Sequence, residues 1–226
     1  VTPGSNRYSE SPAPSGDYAL FPRWFLVAYL LFVCVLVPVY AVQYGWLNFL
    51  WLSNLALIAG CAAAWLESRR LASMLAVGVV LLEMGWVIDF LLGLVLLGNP
   101  PFGFVAYMFD PEVPLYLRLF SLYHLPLPLV LLWMVWRLGY DPVAGRLWIL
   151  VGWAVLLVSY LLSTPEANVN WVLGPWARPQ DLVHPYVWLA VLMAGCALVW
   201  WLSHRMLWWG MGRFGRVHPD QEDTRD

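Results

Sequence analysis

Six long apolar runs, at residues 24–42, 47–66, 71–98, 117–136, 147–163 and 185–204, constrain this chain more than any other feature of its sequence. Each is near the ~20 residues that an α-helix, rising about 1.5 Å per residue, needs to cross a hydrocarbon layer of about 30 Å. A soluble fold has no place for so much apolar surface: 62% of the 226 residues are hydrophobic and 12% charged, more than one core of this size can hide. The excess faces lipid. The pattern predicts an all-α polytopic membrane protein, a bundle of six transmembrane helices over residues 23–205. Residues 1–22, rich in Pro, Ser and Gly, read as a disordered N-terminal tail without the basic start or cleavage site of a signal peptide, and 206–226 as a cytoplasmic C-terminal tail. The third run is the longest, which predicts a tilted helix.

Orientation follows from the basic residues, all 12 of which are arginine. With the N-terminus inside, Arg7, Arg23, Arg69, Arg70, Arg137, Arg146, Arg205, Arg213, Arg216 and Arg225 collect on the cytoplasmic side and only Arg118 and Arg178 fall outside, the bias that retained positive charge produces. Both termini are therefore expected in the cytoplasm, the membrane being the inner membrane of a bacterium. His204 and the terminal arginines read as a snorkelling anchor. The 16 tryptophans cluster near the ends of the runs, as in an aromatic belt. Without lysine there is no side-chain amine for Schiff-base chemistry, which excludes a retinal-type pigment. Cys34, Cys61 and Cys196 lie inside apolar runs at no metal-like spacing and read as small hydrophobes. No basic patch suggests nucleic acid, so the expected partners are a membrane lipid or lipophilic small molecule and other membrane protein subunits.

Polar residues are costly inside a span, so each is a candidate for function or for bonding between helices. Counted from the outer ends, Ser53 and Asn54 on the second helix, Asp89 on the third and His124 on the fourth lie roughly 8–13 Å below the outer surface, with Ser159 slightly higher. The cytoplasmic half is almost entirely aliphatic, which argues against a continuous transport path. Gly78, Gly85 and Asp89 fall within about 60° of one another on a helical wheel, a face suited to close helix approach. Glu83 lies about 120° from Asp89 and near mid-membrane, where a carboxylate requires a proton or a partner. On the fourth run Arg118, Ser121 and His124 form one polar stripe. Pro126 and Pro128 follow and withdraw donors from the carbonyls of Leu122 and His124, which predicts a kink at the histidine.

This slab supports three readings. In one it is an interhelical network that fixes packing. In another it is the centre of a lipid-ester hydrolase or acyltransferase, with Ser53 as nucleophile, His124 as general base and Asp89 orienting the imidazole, and with Asn54, Glu83, Ser121, Ser159, Asn168, Asn170 and Trp171 around the substrate. That chemistry calls for no metal and no cofactor. In the third, His124 holds a haem, quinone, carotenoid or partner subunit, joined by His184 from the same side. The outer connections 99–116 and 164–184 are rich in Pro and aromatics and read as segments in the interface, forming a lid. The stretch 164–175 reads as a turn-rich re-entrant segment closed by Gly174-Pro175; in a functional alternative Glu166, Asn168 and Asn170 hang over the slab, where amide groups donate to a substrate carbonyl or an oxyanion.

Phe49-Leu50-Trp51-Leu52-Ser53-Asn54-Leu55, together with His124 ahead of a Pro-containing apolar run, resembles the androgen-induced hydrolase family. Members of that family are six-helix membrane proteins that cleave fatty acid esters of hydroxy fatty acids with a threonine nucleophile and a histidine. The resemblance covers helices two and four and implies a lipid-ester substrate and His124 as the catalytic histidine. The family's nucleophile position is held here by Trp51, and Ser53 stands about 200° around the helix from it. Asn168-Val-Asn170-Trp171-Val-Leu-Gly174-Pro175 is similar to a segment of bacterial multipass membrane proteins of unknown role.

Overall fold

A computed structural model describes residues 20–176 and 178–214, with side chains as far as Met211. Residues 1–19 and 215–226 of the two expected tails lie outside the described residues. Among those residues there is no strand; helices α1 (Arg23–Tyr44), α2 (Leu52–Trp65), α3 (Arg69–Val95), α4 (Leu115–Ser121), α5 (Leu127–Leu138), α6 (Ala144–Leu162) and α7 (Pro185–Phe214) carry the fold. Five segments, with α4 and α5 taken as one, are long and apolar enough to cross a membrane. The architecture is an all-α membrane bundle. Its last helix runs past the expected end at His204 to Phe214.

The bundle is organised around α3, which packs against α2, α5, α6 and α7. In its most apolar window 50% of residues are buried, against 17% for α7, so α3 is interior and α7 faces outward. Glycine makes the central contact possible. The Trp148 indole of α6 lies directly over Gly78, and the fully buried Trp200 of α7 donates its Nε1–H to the Gly78 carbonyl at 2.9 Å. The two indoles meet edge to face at 6.2 Å, tying three helices at one point.

The second apolar run departs from a single helix over 47–66. It begins as a 3-10 turn, Trp46–Leu50, becomes extended at Trp51 (φ −56°, ψ 128°), and only then enters α2, which is 14 residues long. Unwound backbone is tolerated at membrane depth only where other groups satisfy it. Asn170, from the connection between α6 and α7, does so: its Nδ2 donates to the Leu50 carbonyl at 2.8 Å and its Oδ1 accepts from the Leu52 N–H at 3.1 Å. The side-chain amide takes the place of a missing peptide group. We expect Asn170→Ala to cost about 2–4 kcal/mol, because it strands both backbone groups. Asn170→Asp, which keeps the acceptor, should fall between. Thermal unfolding in detergent measures this, and an alanine variant as stable as the parent would refute the bridging role.

The fourth run bends where its prolines demand. After α4 a 3-10 turn, Leu122–His124, leads into α5. The Leu125 N–H donates to the Leu122 carbonyl at 3.0 Å, so tightening the turn supplies the partner that Pro126 cannot. At the arginine-rich end, Arg70 pairs with Asp141 at 3.0 Å and the Arg69 guanidinium donates to the Tyr140 carbonyl, tying α3 to the α5–α6 turn. Burial opposes charge on Asp141, but the Val143 N–H and the guanidiniums of Arg70 and Arg69 prevail and hold its carboxyl below the ordinary value.

Candidate functional site

Two carboxylates enter the polar slab from α3, and the structure gives them roles different from those expected. Asp89, fully buried, accepts backbone N–H bonds from the first outer connection: Phe102 at 2.9 Å, Phe104 at 2.7 Å and Val105 at 3.2 Å. It is an anchor for that connection. It does not orient the imidazole, which corrects its expected place in a Ser-His-Asp triad. The physical reason is that an irregular segment closing a bundle exposes N–H groups, and a buried acceptor beneath them is the cheapest way to satisfy several at once.

Glu83 takes the position expected of Asp89. Its Oε2 lies 2.6 Å from His124 Nδ1, and the two side chains are only 6% and 12% exposed. The imidazole stacks on Trp86, with centroids 4.6 Å apart and planes at 15°, and on the ring of Tyr123 at 4.2 Å and 23°. Carboxylate and aromatic faces together fix the orientation of the ring. His124 Nε2 has no hydrogen-bond partner among the described residues.

Tyr123 extends the site towards α2. Its hydroxyl donates to Asn54 Oδ1 at 2.7 Å and has Ser53 as a second hydrogen-bonding neighbour. Asn54 Nδ2 in turn donates to the Asn48 carbonyl at 2.8 Å, so this amide is engaged within the fold. Ser53 is half-buried, and among the described residues no hydrogen bond joins it to His124. The Ser121 hydroxyl donates to the Leu117 carbonyl and shares a 3.1 Å bond with Tyr40, and it neighbours Tyr107, whose hydroxyl accepts from Trp86 Nε1 at 3.2 Å.

The second outer connection is also engaged internally. Asn168 Nδ2 donates to the carbonyls of Gly174 and Trp176, at 2.9 and 3.0 Å, and its Oδ1 accepts from the Leu173 N–H. Asn170 completes its set with Ser159 Oγ at 3.0 Å. Neither amide is left to bind a substrate oxygen, which corrects the functional alternative and agrees with the structural reading of this segment. Both asparagines adopt left-handed φ, 33° and 55°, which this residue tolerates because its side chain bonds locally to backbone. Trp171, at φ 59°, packs its ring 5.3 Å from Phe104, and Trp176 Nε1 donates to the Phe102 carbonyl at 2.6 Å. The two connections thus close over the slab as one cover. Glu166 and His184 are exposed on it, and His184, whose Nδ1 accepts from the Tyr186 N–H, lies at the start of α7 without contact to His124.

The site residues not anticipated are Trp86, Tyr123 and Tyr107. Glu83 and Trp86 stand three residues apart, and that i, i+3 spacing on one helix face, with Tyr123-His124 opposite, is the signal that points to them. Comparison of the chain with family models, with curated proteins and with solved structures finds no match.

Proposed function

We propose that this protein is a membrane-embedded lipid-ester hydrolase or acyltransferase whose acid–base centre is the Glu83–His124 pair. The observation that carries this reading is the 2.6 Å bond between a buried carboxylate and an imidazole held against two aromatic faces. With Nδ1–H donating to Glu83, the lone pair on Nε2 is ready to take a proton, the tautomer a general base requires. Ser53 supplies the nucleophile, adjacent to Tyr123, whose ring stacks on the histidine. Attack of its Oγ on the ester carbonyl passes the hydroxyl proton to Nε2. Collapse of the tetrahedral intermediate expels the alcohol, which leaves with that proton. Water or a second alcohol then releases the acyl group by the same exchange.

Labelling of the detergent-solubilised full chain by a fluorophosphonate tests this. We expect labelling to be abolished in Ser53→Ala and His124→Ala, and slowed about a hundredfold or more in Glu83→Gln, which keeps the shape but not the charge that orients the ring. A folded parent that does not label sinks the enzyme reading. The missing hydrogen bond between Ser53 and His124 favours a second one, a non-enzymatic accessory subunit or a binder of a lipophilic cofactor held by Nε2. Copurification of a chromophore or of one stoichiometric partner with an unlabelled parent would support it. In either reading the protein acts within a membrane, and we assign it to the inner membrane of a bacterium, termini inside, on the arginine distribution.

A further inference from the structure

The arginine-rich end of the bundle contains a second feature, unrelated to the Glu83–His124 pair. A groove of about 430 Å³ opens between the start of α6 and the last turns of α7, with Arg146 and Ile149 on one wall and Trp201, His204, Arg205 and Trp208 on the other. Its volume is within the range of sites that bury a small amphiphilic ligand.

The arginines at this end are not equivalent. Arg69, Arg70 and Arg137 are engaged, on the Tyr140 carbonyl, Asp141 and the Leu20 carbonyl. Arg146 and Arg205 have no ion-pair partner among the described residues, although both lie close enough to act electrostatically on His204. Between them the imidazole is fixed: Tyr140 and His204 Nδ1 share a 2.6 Å bond, and the ring sits so close to Gly145 that a Cβ there would come within 2.7 Å of it. Two guanidiniums, one on each wall, therefore flank a fixed imidazole with no carboxylate of the described residues paired to either. Like charges held together in this way lower their energy by sharing an anion. The remaining walls are apolar and aromatic. Trp201 and Trp208 are half exposed, and the Arg205 guanidinium lies 5.7 Å from the Trp208 ring. The groove thus combines two guanidiniums with indole and aliphatic surface.

We propose that this groove binds one anionic glycerophospholipid, its phosphate between Arg146 and Arg205 and an acyl chain along Ile149 and Trp201. Charge complementarity selects the headgroup, and the apolar wall selects a lipid over a free anion. The site lies at the opposite end of α7 from His184 and does not depend on the chemistry of the slab.

Native mass spectrometry of the full chain from mixed micelles, with phosphatidylglycerol and phosphatidylcholine at equal mole fraction, tests the proposal. The parent should retain phosphatidylglycerol preferentially, and Arg146→Gln/Arg205→Gln should lose that preference by about 30-fold. Arg146→Lys/Arg205→Lys, which keeps the charge, should hold most of it and shows that the double substitution has not simply unfolded the protein. Arg23→Gln, an exposed arginine at the start of α1, should change nothing. Three results would overturn the proposal. These are an undiminished preference in the Gln pair, displacement of the lipid by inorganic phosphate at millimolar concentration, and a preference that appears only after residues 215–226 are removed, which would make the acidic tail the occupant.

Discussion

Gly78→Ala should cost about 3 kcal/mol and lower the Tm in detergent by about 10 °C. A single methyl group has this effect because nothing around it can yield. The Cβ would overlap the Trp148 indole, and that ring is itself fixed edge to face against Trp200, whose Nε1–H is bonded to the Gly78 carbonyl. Moving either indole breaks the junction of α3, α6 and α7. Differential scanning measures the loss. Trp148→Val should by itself cost at least as much, and in the Gly78→Ala chain the two losses should fall short of their sum, since the two positions are in direct contact. If the alanine variant melts with the parent, the three helices do not meet as described.

Asp89→Ala should detach the first outer connection. Three backbone N–H groups, those of Phe102, Phe104 and Val105, would lose their acceptor in a place that little water reaches. Each stranded donor costs about 1–3 kcal/mol, but the connection can open to solvate them, so the expected result is local release at about 3 kcal/mol. Hydrogen exchange over residues 99–114 should accelerate about a hundredfold, with α3, α5 and α6 unchanged. Asp89→Asn presents an N–H to the same donors and should behave nearly as badly. Rapid exchange across the whole bundle would instead mean that Asp89 supports the core.

Five of the six apolar runs and the bend at the prolines were legible in the sequence because each follows from a property that residue type alone determines, transfer to lipid and a missing N–H; the second was not, since nothing in its composition marks the break at Trp51. The meeting of polar residues from α2, α3 and the fourth run was legible too, as position along a helix is simple counting. The assignment of partners among them was not. Glu83 and Asp89 are both carboxylates on α3, and which of them meets His124 depends on the 3-10 turn at Leu122–His124, which changes the rotation and rise per residue just where the histidine projects. Asp89 was then left for the backbone of a connection, and bonds of that kind have no periodicity to reveal them. For Asn168 and Asn170 the turn-rich structural reading is the one that fits, but not which groups they serve: the unmet needs of Leu50, Leu52 and the 173–178 turn become visible only when the chain is folded.

The bridge from Asn170 to the break before α2 also bears on how the protein is made. The residue that completes the second apolar segment is separated from it by about 120 positions, so the ribosome delivers the break long before its partner. Throughout the synthesis of α3 to α6 the nascent segment holds two open backbone groups. Until Asn170 is in place these two groups need another partner, so the break cannot take its final form before the connection between α6 and α7 has been made.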